Sequence, residues 1–425
     1  MTDSSSPARR LVVVGQGYVG LPLAMRAVEA GYHVVGYDVS RDKVALLAAG
    51  RTHIDDITDA DVAAAIATGR YTATDRADDV AGFDIAVITV PTPLRDGAPD
   101  LSFIEAAGTL LAPHVRPGCT VVLESTTYPG TTEEILVPIL EAGSGLRAGE
   151  HFHVGFSPER IDPGNQRWTF RVTPKVVSGM GAASLAAVKG FYDDLFDTTV
   201  PVSGTREAEL TKLLENTFRH VNIALINELA IHSNALGIDI WEVVRAAATK
   251  PFGFMPFQPG PGVGGHCLPI DPSYLSWKIK QQVDGTSRFV DIANDINDHM
   301  PGYVAQRVLL GLNERGKPMK GSRVLVLGLA YKKNSNDARE TPSVDVVKAL
   351  HKYGADVLVH DSHVGAHPID AEVTRVPLTA DVVASADAVV LVTDHDDTDY
   401  ELVLANATYV FDARNRLSGA NVEVL

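Results

Sequence analysis

The sequence predicts an α/β protein: two Rossmann-like, doubly wound domains joined by a central helical domain with one long helix. Three observations predict it. Short β-branched runs alternate with helical stretches up to Val202. The same alternation restarts at Arg323. Between them, Thr205 to Leu236 runs without a single Pro or Gly. Strands buried on both faces read as continuous apolar runs, and their alternation with helices argues for parallel sheets.

The elements follow in order. Residues 11–14 form a first strand, a glycine turn follows, and 21–30 has helical character. Further apolar runs at 34–38, 84–90 and 120–123 read as strands, and 175–177 and 199–202 close an N-terminal domain, 1–203. In the long segment Leu210, Leu213, Leu214, Phe218, Val221, Leu225 and Leu229 recur three and four apart, which is an amphipathic helix ended by Gly237. A second helix is expected near 239–249, a loop-rich span at 251–272 and a third helix at 287–314, giving a central domain, 204–314. Residues 316–321 read as a surface connection. Beyond it the C-terminal domain, 315–425, has strands at 323–328, 356–360, 388–393 and 409–412 and a helix at 344–353. The two α/β parts have the look of a loose duplication. A two-domain reading, with the helices attached to one end, stays open.

The 425 residues are 45% hydrophobic and 21% charged, with a net charge of −16. That is an ordinary globular composition. No basic block stands out, so nucleic acid and anionic membranes are poor partners. The first apolar run is too short for a signal peptide core or a membrane span. Two cysteines and no export signal point to a reducing cytoplasm.

Gly15-Gln16-Gly17-Tyr18-Val19-Gly20 is a G-x-G-x-x-G between a strand and a helix, with Asp38 ending the next strand 18 residues beyond Gly20. Gly15 permits the tight turn, Gly17 lets backbone approach a pyrophosphate, and Gly20 allows close helix packing. A helix N-terminus favours the phosphate charge. Asp38 suits ribose hydroxyls and repels a 2′-phosphate, which favours NAD, although Arg41 and Lys43 lie close by and pull the other way.

Cys119 reads as a small core hydrophobe. Cys267 is different: it ends Gly260-Pro261-Gly262-Val263-Gly264-Gly265-His266, with Asp271 four residues on. A thiol near a nicotinamide suggests aldehyde oxidation through a thiohemiacetal and a thioester. That chemistry needs a thiolate, donors for an oxyanion, and a base that delivers water. Asp271 is near enough in sequence to be the base. Lys212, Asn216 and Arg219 share one helical face, and Lys212 with Asn216 suits an oxyanion; alone, such a face usually reads as solvated. His360-Asp361-Ser362-His363 and Asp394-His395-Asp396-Asp397 contain ligand-type residues, but their spacing matches no metal site of specific geometry, so no metal is expected.

These residues sit within a longer series: Gly15–Leu21 as GQGYVGL, Val90-Pro91-Thr92-Pro93, Ser125-Thr126, Ser157-Pro158-Glu159-Arg160, Thr211-Lys212-Leu213-Leu214-Glu215-Asn216, Gly264-Gly265-His266-Cys267-Leu268-Pro269-Ile270-Asp271, and Gly328-Leu329-Ala330-Tyr331-Lys332-Lys333-Asn334 through Asp337-Ala338-Arg339-Glu340. In them the chain resembles the UDP-glucose/GDP-mannose dehydrogenase family from end to end. The resemblance implies oxidation of C6 of a nucleotide sugar to the carboxylate, with two NAD and one water. It implies that Cys267 is the nucleophile, Lys212 and Asn216 steady the oxyanion, Asp271 assists water or the lysine, and Glu159 and Thr126 position water and take part in the first oxidation. Gly15, Gly17, Tyr18, Val19, Gly20, Asp38, Arg41, Pro91, Thr92, Thr126 and Arg339 would bind NAD. Glu159, Arg160, Lys212, Asn216, Arg219, Lys250, Gly264 and Lys332 would contact the sugar nucleotide. Arg160 after the Pro-Glu pair, and the phrase Ala247-Ala248-Thr249-Lys250-Pro251-Phe252-Gly253-Phe254, look like the branch acting on UDP-N-acetylhexosamines, with UDP-N-acetylglucosamine favoured. UDP-N-acetylmannosamine, UDP-glucose and a non-catalytic NAD and nucleotide-sugar binding protein are the alternatives. The family precedent for the long helix is a homodimer, with larger assemblies left open.

Overall fold

The computed structural model describes residues 9–54, 56–95, 97–161, 165, 167–265, 267–282, 285–365 and 373–425, without the side chains of Cys267 and Pro269. The chain divides into two compact units, Met1–Glu215 with Trp277–Asp284, and Asn216–Ser276 with Gly285–Leu425.

The first unit is built on six parallel strands: β1 (Arg10–Val14), β2 (His33–Tyr37), β3 (Tyr71–Thr74), β4 (Ile85–Ile88), β5 (Thr120–Leu123) and β6 (His153–Phe156). Their order is β3-β2-β1-β4-β5-β6, the doubly wound order of dinucleotide-binding sheets. Successive side chains of a strand point to opposite faces. Leu11 and Val13 therefore enter one core layer with Leu21, Leu23 and Val28 of helix α1 (Gly20–Glu29) and with Phe191 and Tyr192 of α2 (Gly181–Asp193). Val12 and Val14 enter the other with Ile104, Leu111 and Leu140. Each such side chain contributes about 1.5–3 kcal/mol by leaving water. A short parallel pair, β7 (Lys175–Val177) and β8 (Thr199–Pro201), completes the unit.

The long helix α3 runs over Thr205–Ala235, and its stop is Gly237 in the left-handed region at φ +69°. The expected apolar stripe is only partly inside: Leu213 is buried and Val221 half-buried. Leu210, Leu214, Phe218, Leu225 and Leu229 are exposed, whereas Glu209, Lys212, Asn216, His220 and Asn227 are buried. The polar side chains are inside because each has a fixed partner, which offsets the cost of burying it. The exposed members of the stripe are what the single chain leaves uncovered.

The second unit holds α4 (Ile240–Ala248), α6 (Arg288–Glu314), α7 (Pro342–Lys352) and another six-stranded parallel sheet. That sheet comprises β9 (Arg323–Leu327), β10 (Asp356–His360), β11 (Thr374–Arg375), β12 (Ala388–Leu391), β13 (Val410–Asp412) and β14 (Val422–Val424), in the order β11-β10-β9-β12-β13-β14. The topology repeats that of the first sheet. Met300, Val304, Val308 and Leu312 of α6 and Val346 and Leu350 of α7 pack on Val324 and Val326. The loop expected over 251–272 ends early: α5 (Cys267–Gln282) begins at Cys267. Pro269 lies in its first turn, where an N–H has no helical partner to lose, and Pro272 lies inside it. Among the described residues, no helix is long and apolar enough to cross a membrane.

Candidate active site

Gly15 leaves β1 at φ +96° and its N–H donates to the Tyr37 carbonyl at 2.8 Å. A Cβ on Gly15 would stand 2.7 Å from the Thr89 carbonyl oxygen, and one on Gly20 only 1.9 Å from that of Gly15. A Cβ on Gly17 would meet nothing within 4 Å. Two glycines are thus demanded by the chain's own packing, while Gly17 faces open space where an outside group can approach backbone. β1 pairs with both β2 and β4, so strand order reverses at this turn, the place where open α/β sheets bind ligands. Val19 precedes α1 and no side chain caps the helix, which leaves its N-terminus to an anion.

Asp38 follows β2 and is buried. Its Oδ2 accepts the Gln16 N–H and its Oδ1 the Ser40 N–H, both at 2.9 Å, and Lys43 Nζ lies 3.7 Å from Oδ2. A carboxylate has about four acceptor sites, so capacity for ribose hydroxyls remains. Arg41 is exposed and pairs with Asp75 at 3.2 Å. Tyr18 packs against the core layer of α1. Burial, then the charge of Lys43, holds the His53 imidazole below the ordinary value. Ser125 Oγ donates to the Val90 carbonyl and Thr92 Oγ1 to that of Thr126, both at 2.8 Å. These bonds draw the ends of β4 and β5 together beside exposed Pro91.

Glu159 lies just beyond β6 and is buried. Its Oε1 accepts the N–H groups of Arg160 and Ile161, each at 2.6 Å, and its Oε2 lies 3.2 Å from Lys175 Nζ. Its backbone carbonyl accepts from Lys212 Nζ at 2.5 Å. Lys175 also meets Glu124 Oε1 at 3.2 Å, and Tyr192 donates its hydroxyl to that same oxygen. Burial works against the charge of Lys175, but Glu124 and Glu159 outweigh it and raise its pKa. Burial raises the pKa of Glu124 despite Lys175. Removing one partner of such a buried set costs about 3–5 kcal/mol. The sequence reading took Lys175 only as the start of a strand. No sequence signal marks it, because its burial and its partners Glu124 and Glu159 are set by the fold. Arg160 is held by Glu215 at 2.7 Å and by the Pro174 carbonyl at 2.7 Å.

In the second unit, Asn216 Nδ2 donates to Asp271 Oδ2 at 2.6 Å, and both residues are buried. Cys267 opens α5 one turn before Asp271; its side chain lies outside the described residues. The glycine loop leading to it is clamped. Asn227 Oδ1 accepts the Gly260 N–H at 2.9 Å, and the Gly265 N–H donates to the Arg339 carbonyl at 3.1 Å. A Cβ on Gly264 would stand 2.7 Å from the Glu340 carbonyl oxygen and 2.8 Å from Tyr331. The loop therefore rests on the segment that carries half-buried Lys332 and exposed Arg339. Arg339 is held by Asp337, with Nη2–Oδ2 at 2.5 Å. Arg219, expected on the face of Lys212 and Asn216, is exposed, as is Lys250, whose ammonium lies 5.0 Å from the Phe252 ring centre.

The second sheet repeats the glycine–threonine–aspartate turn. Gly328, at φ +91°, donates to the His360 carbonyl, and a Cβ on it would stand 2.4 Å from the Thr393 carbonyl oxygen. Here Asp361 is filled. Burial works against its charge, but hydrogen bonds from His395 and from the Val364, Leu329 and Ala330 N–H groups outweigh it and hold the carboxyl well below the usual range. The fold brings His363, His395 and Asp397 together. Yet His395 Nδ1 accepts the Asn334 N–H at 2.8 Å and Nε2 meets Asp361 at 3.1 Å, so both ring nitrogens are engaged and neither is offered to an ion.

The NAD binding domain of the UDP-glucose/GDP-mannose dehydrogenase family matches residues 9–196, its central domain residues 206–299, and its UDP binding domain residues 325–419. The chain is 38% identical over 392 residues to a UDP-N-acetyl-D-glucosamine 6-dehydrogenase of Pseudomonas aeruginosa, covering 91% of each chain. It superposes with TM-score 0.89 on the UDP-D-ManNAc dehydrogenase of Pyrococcus horikoshii, at 32% identity over 98% of each chain. A UDP-glucose dehydrogenase of Pyrobaculum islandicum gives TM-score 0.89 at 28% identity, over 100% of this chain and 98% of that one.

Proposed function

Because the chain belongs to the UDP-glucose/GDP-mannose dehydrogenase family, as an NAD-dependent nucleotide-sugar dehydrogenase, we propose that its substrate is a UDP-N-acetylhexosamine. UDP-N-acetylglucosamine is the preferred sugar, and C6 goes from alcohol to carboxylate. In this reading residues 1–203 hold NAD, 204–314 carry the catalytic cysteine loop, and 315–425 bind the UDP-sugar.

NAD, when bound, accepts a hydride in each of two oxidations. The glycine turn, with Tyr18 and Val19, would hold its pyrophosphate; Asp38 and Arg41 would hold the adenosine ribose; Pro91, Thr92 and Thr126 would hold the nicotinamide part. The open space over Gly17 and the acceptor capacity of Asp38 support this fit. Thr126 and Glu159 take part in removing the C6 hydroxyl proton as the aldehyde forms. The Cys267 thiolate adds to the aldehyde carbon, with Lys212 and Asn216 donating to the oxyanion. Loss of the second hydride leaves a thioester, and water placed by Glu159 and Asp271 cleaves it, returning the thiol and releasing the acid. Arg160, Arg219, Lys250, Gly264 and Lys332 contact the nucleotide sugar.

The observation that carries the reading is the inward polar face of α3. Lys212 is fixed on Glu159 and Asn216 on Asp271, an arrangement a mere binding protein has no need of. The name of the Pseudomonas aeruginosa relative supports the gluco sugar. Likeness to the Pyrococcus horikoshii protein makes UDP-N-acetylmannosamine the second reading. The exposed leucines of α3 support self-association as a dimer or larger homo-oligomer, and the setting proposed is the cytoplasm. The test is NADH counted to completion with UDP-N-acetylglucosamine, UDP-N-acetylmannosamine, UDP-glucose and UDP-galactose. Two NADH per UDP-N-acetylglucosamine, with little from the others, is expected. Preference for UDP-N-acetylmannosamine favours the second reading, preference for UDP-glucose or UDP-galactose refutes the hexosamine assignment, and no NADH from any of them refutes the reaction.

A further inference from the structure

We propose that Lys175 is the positioning residue for Glu159, itself held by Glu124 and Tyr192, so that a buried chain from the sheet fixes the carboxylate used in the oxidation. The inference rests on the role given to Glu159 above.

Among the described residues, Glu159 is held on its Oε1 side by the Arg160 and Ile161 N–H groups, which belong to its own loop and move with it. Lys175 ties Oε2 to the scaffold. It begins β7, which pairs in parallel with β8. Ser157 Oγ donates to the Val176 carbonyl at 2.6 Å, and Ser178 Oγ to that of Phe156 at 2.7 Å, stitching β7 to the end of β6. The ammonium has little freedom. Glu124 Oε1 lies 3.2 Å away, and the rings of Tyr192 and Phe196 stand with their centres 5.3 Å from Nζ.

Stability alone does not account for this cluster. Two carboxylates share one ammonium out of water, and Glu124 Oε2 is buried without a hydrogen bond. Well-packed apolar residues generally serve a core as well or better. What the cluster delivers is a fixed place for Glu159, whose carbonyl takes Lys212 from its own side. One lysine sets the side chain and another sits on the backbone of the same residue.

The experiment compares full-length wild type with Lys175→Met, Lys175→Arg and the double variant Lys175→Met/Glu124→Gln, which removes one carboxylate charge with the ammonium, so that the net charge of the cluster is unchanged and the fold is protected. Three readouts are taken: the first hydride transfer in a single turnover, KM for the sugar the wild type prefers, and hydrogen exchange at the Arg160 and Ile161 amides. A carboxylate misplaced by about 1 Å should cost about 100-fold in rate. The double variant is expected to lose that factor with KM little changed, and to exchange faster at those two amides while β4 and β5 stay protected. Lys175→Arg should recover most of the rate. A double variant with the wild-type rate overturns the proposal. So does unchanged exchange at the two amides, or a loss of protection spread over the whole sheet that Lys175→Arg does not repair. If the wild type makes no NADH from any UDP-sugar, the reaction assignment fails, and the exchange readout decides the positioning by itself.

Discussion

Lys212 Nζ donates to the backbone carbonyl of Glu159 at 2.5 Å. An ammonium has three donors, and this bond spends one of them on an acceptor that cannot swing away. The remaining donors are thereby aimed before any substrate arrives. Replacing Lys212 by Met should lower kcat by about 10²–10³-fold, the usual cost of losing one oxyanion donor, with NAD affinity unchanged. Stopped-flow NADH formation alongside an NAD titration separates the two effects. A fall in NAD affinity as large as the fall in kcat would refute the assignment.

Asn216 stands in the same relation to Asp271, at 2.6 Å in a buried place. Asn216→Asp would set two carboxylates at hydrogen-bond distance out of water, where only one ionises readily. Expected are a loss of activity and a destabilisation of about 2–3 kcal/mol that grows with pH. Denaturant titration at pH 5 and pH 8 checks it. Equal stability at the two pH values would show that both carboxylates ionise in the folded chain as readily as in the unfolded one, and would refute the shared proton.

Glycine substitutions should divide by position. Gly20→Ala places a methyl group 1.9 Å from the Gly15 carbonyl oxygen, so the turn itself must give way and the thermal midpoint should fall. Gly17→Ala meets nothing within 4 Å. It should fold normally and weaken NAD by about tenfold or more, because the methyl group occupies the place of approach. Thermal melts with and without NAD distinguish the two, and a destabilised Gly17→Ala would contradict the open cradle.

The central strands were legible because burial on both faces writes them as unbroken apolar runs: Val12–Val14, Val324–Val326 and Val389–Leu391 have no polar interruption. In the two six-stranded sheets, the four strands the sequence did not declare, β3, β6, β11 and β14, are the four edges. Thr72 and both residues of β11 face solvent, so no apolar run is required of them. The glycine turn and Asp38 were legible for a similar reason, since local sterics and charge dictate them. The faces of α3 were not. Periodicity says which residues share a side, but which side is buried depends on partners far away in sequence, such as Glu159 for Lys212, 53 positions off. The start of α5 at Cys267 was hidden by Pro269 and Pro272, which normally argue for a loop.

Glu209 gives the fold a pH dependence of known sign. It lies on α3 one turn before Lys212, buried, and accepts the Gly130 N–H at 2.6 Å, the Thr132 N–H at 2.9 Å and the Thr132 hydroxyl at 2.7 Å. Burial pushes its carboxyl from the ordinary 4.5 up to about 7 even against those hydrogen bonds. Between pH 4.5 and 7 the folded chain therefore keeps a proton that the unfolded chain has released. Its contribution is complete below 4.5 and is lost as pH rises through 7. At about 1.4 kcal/mol per pKa unit, the span is about 3 kcal/mol. Glu209→Gln cannot titrate there. The stability of wild type relative to Glu209→Gln should thus fall by about that amount between pH 4.5 and 8, measured by urea unfolding across the range. A difference that stays constant with pH would mean that the hydrogen bonds outweigh burial at this carboxyl and keep it charged throughout.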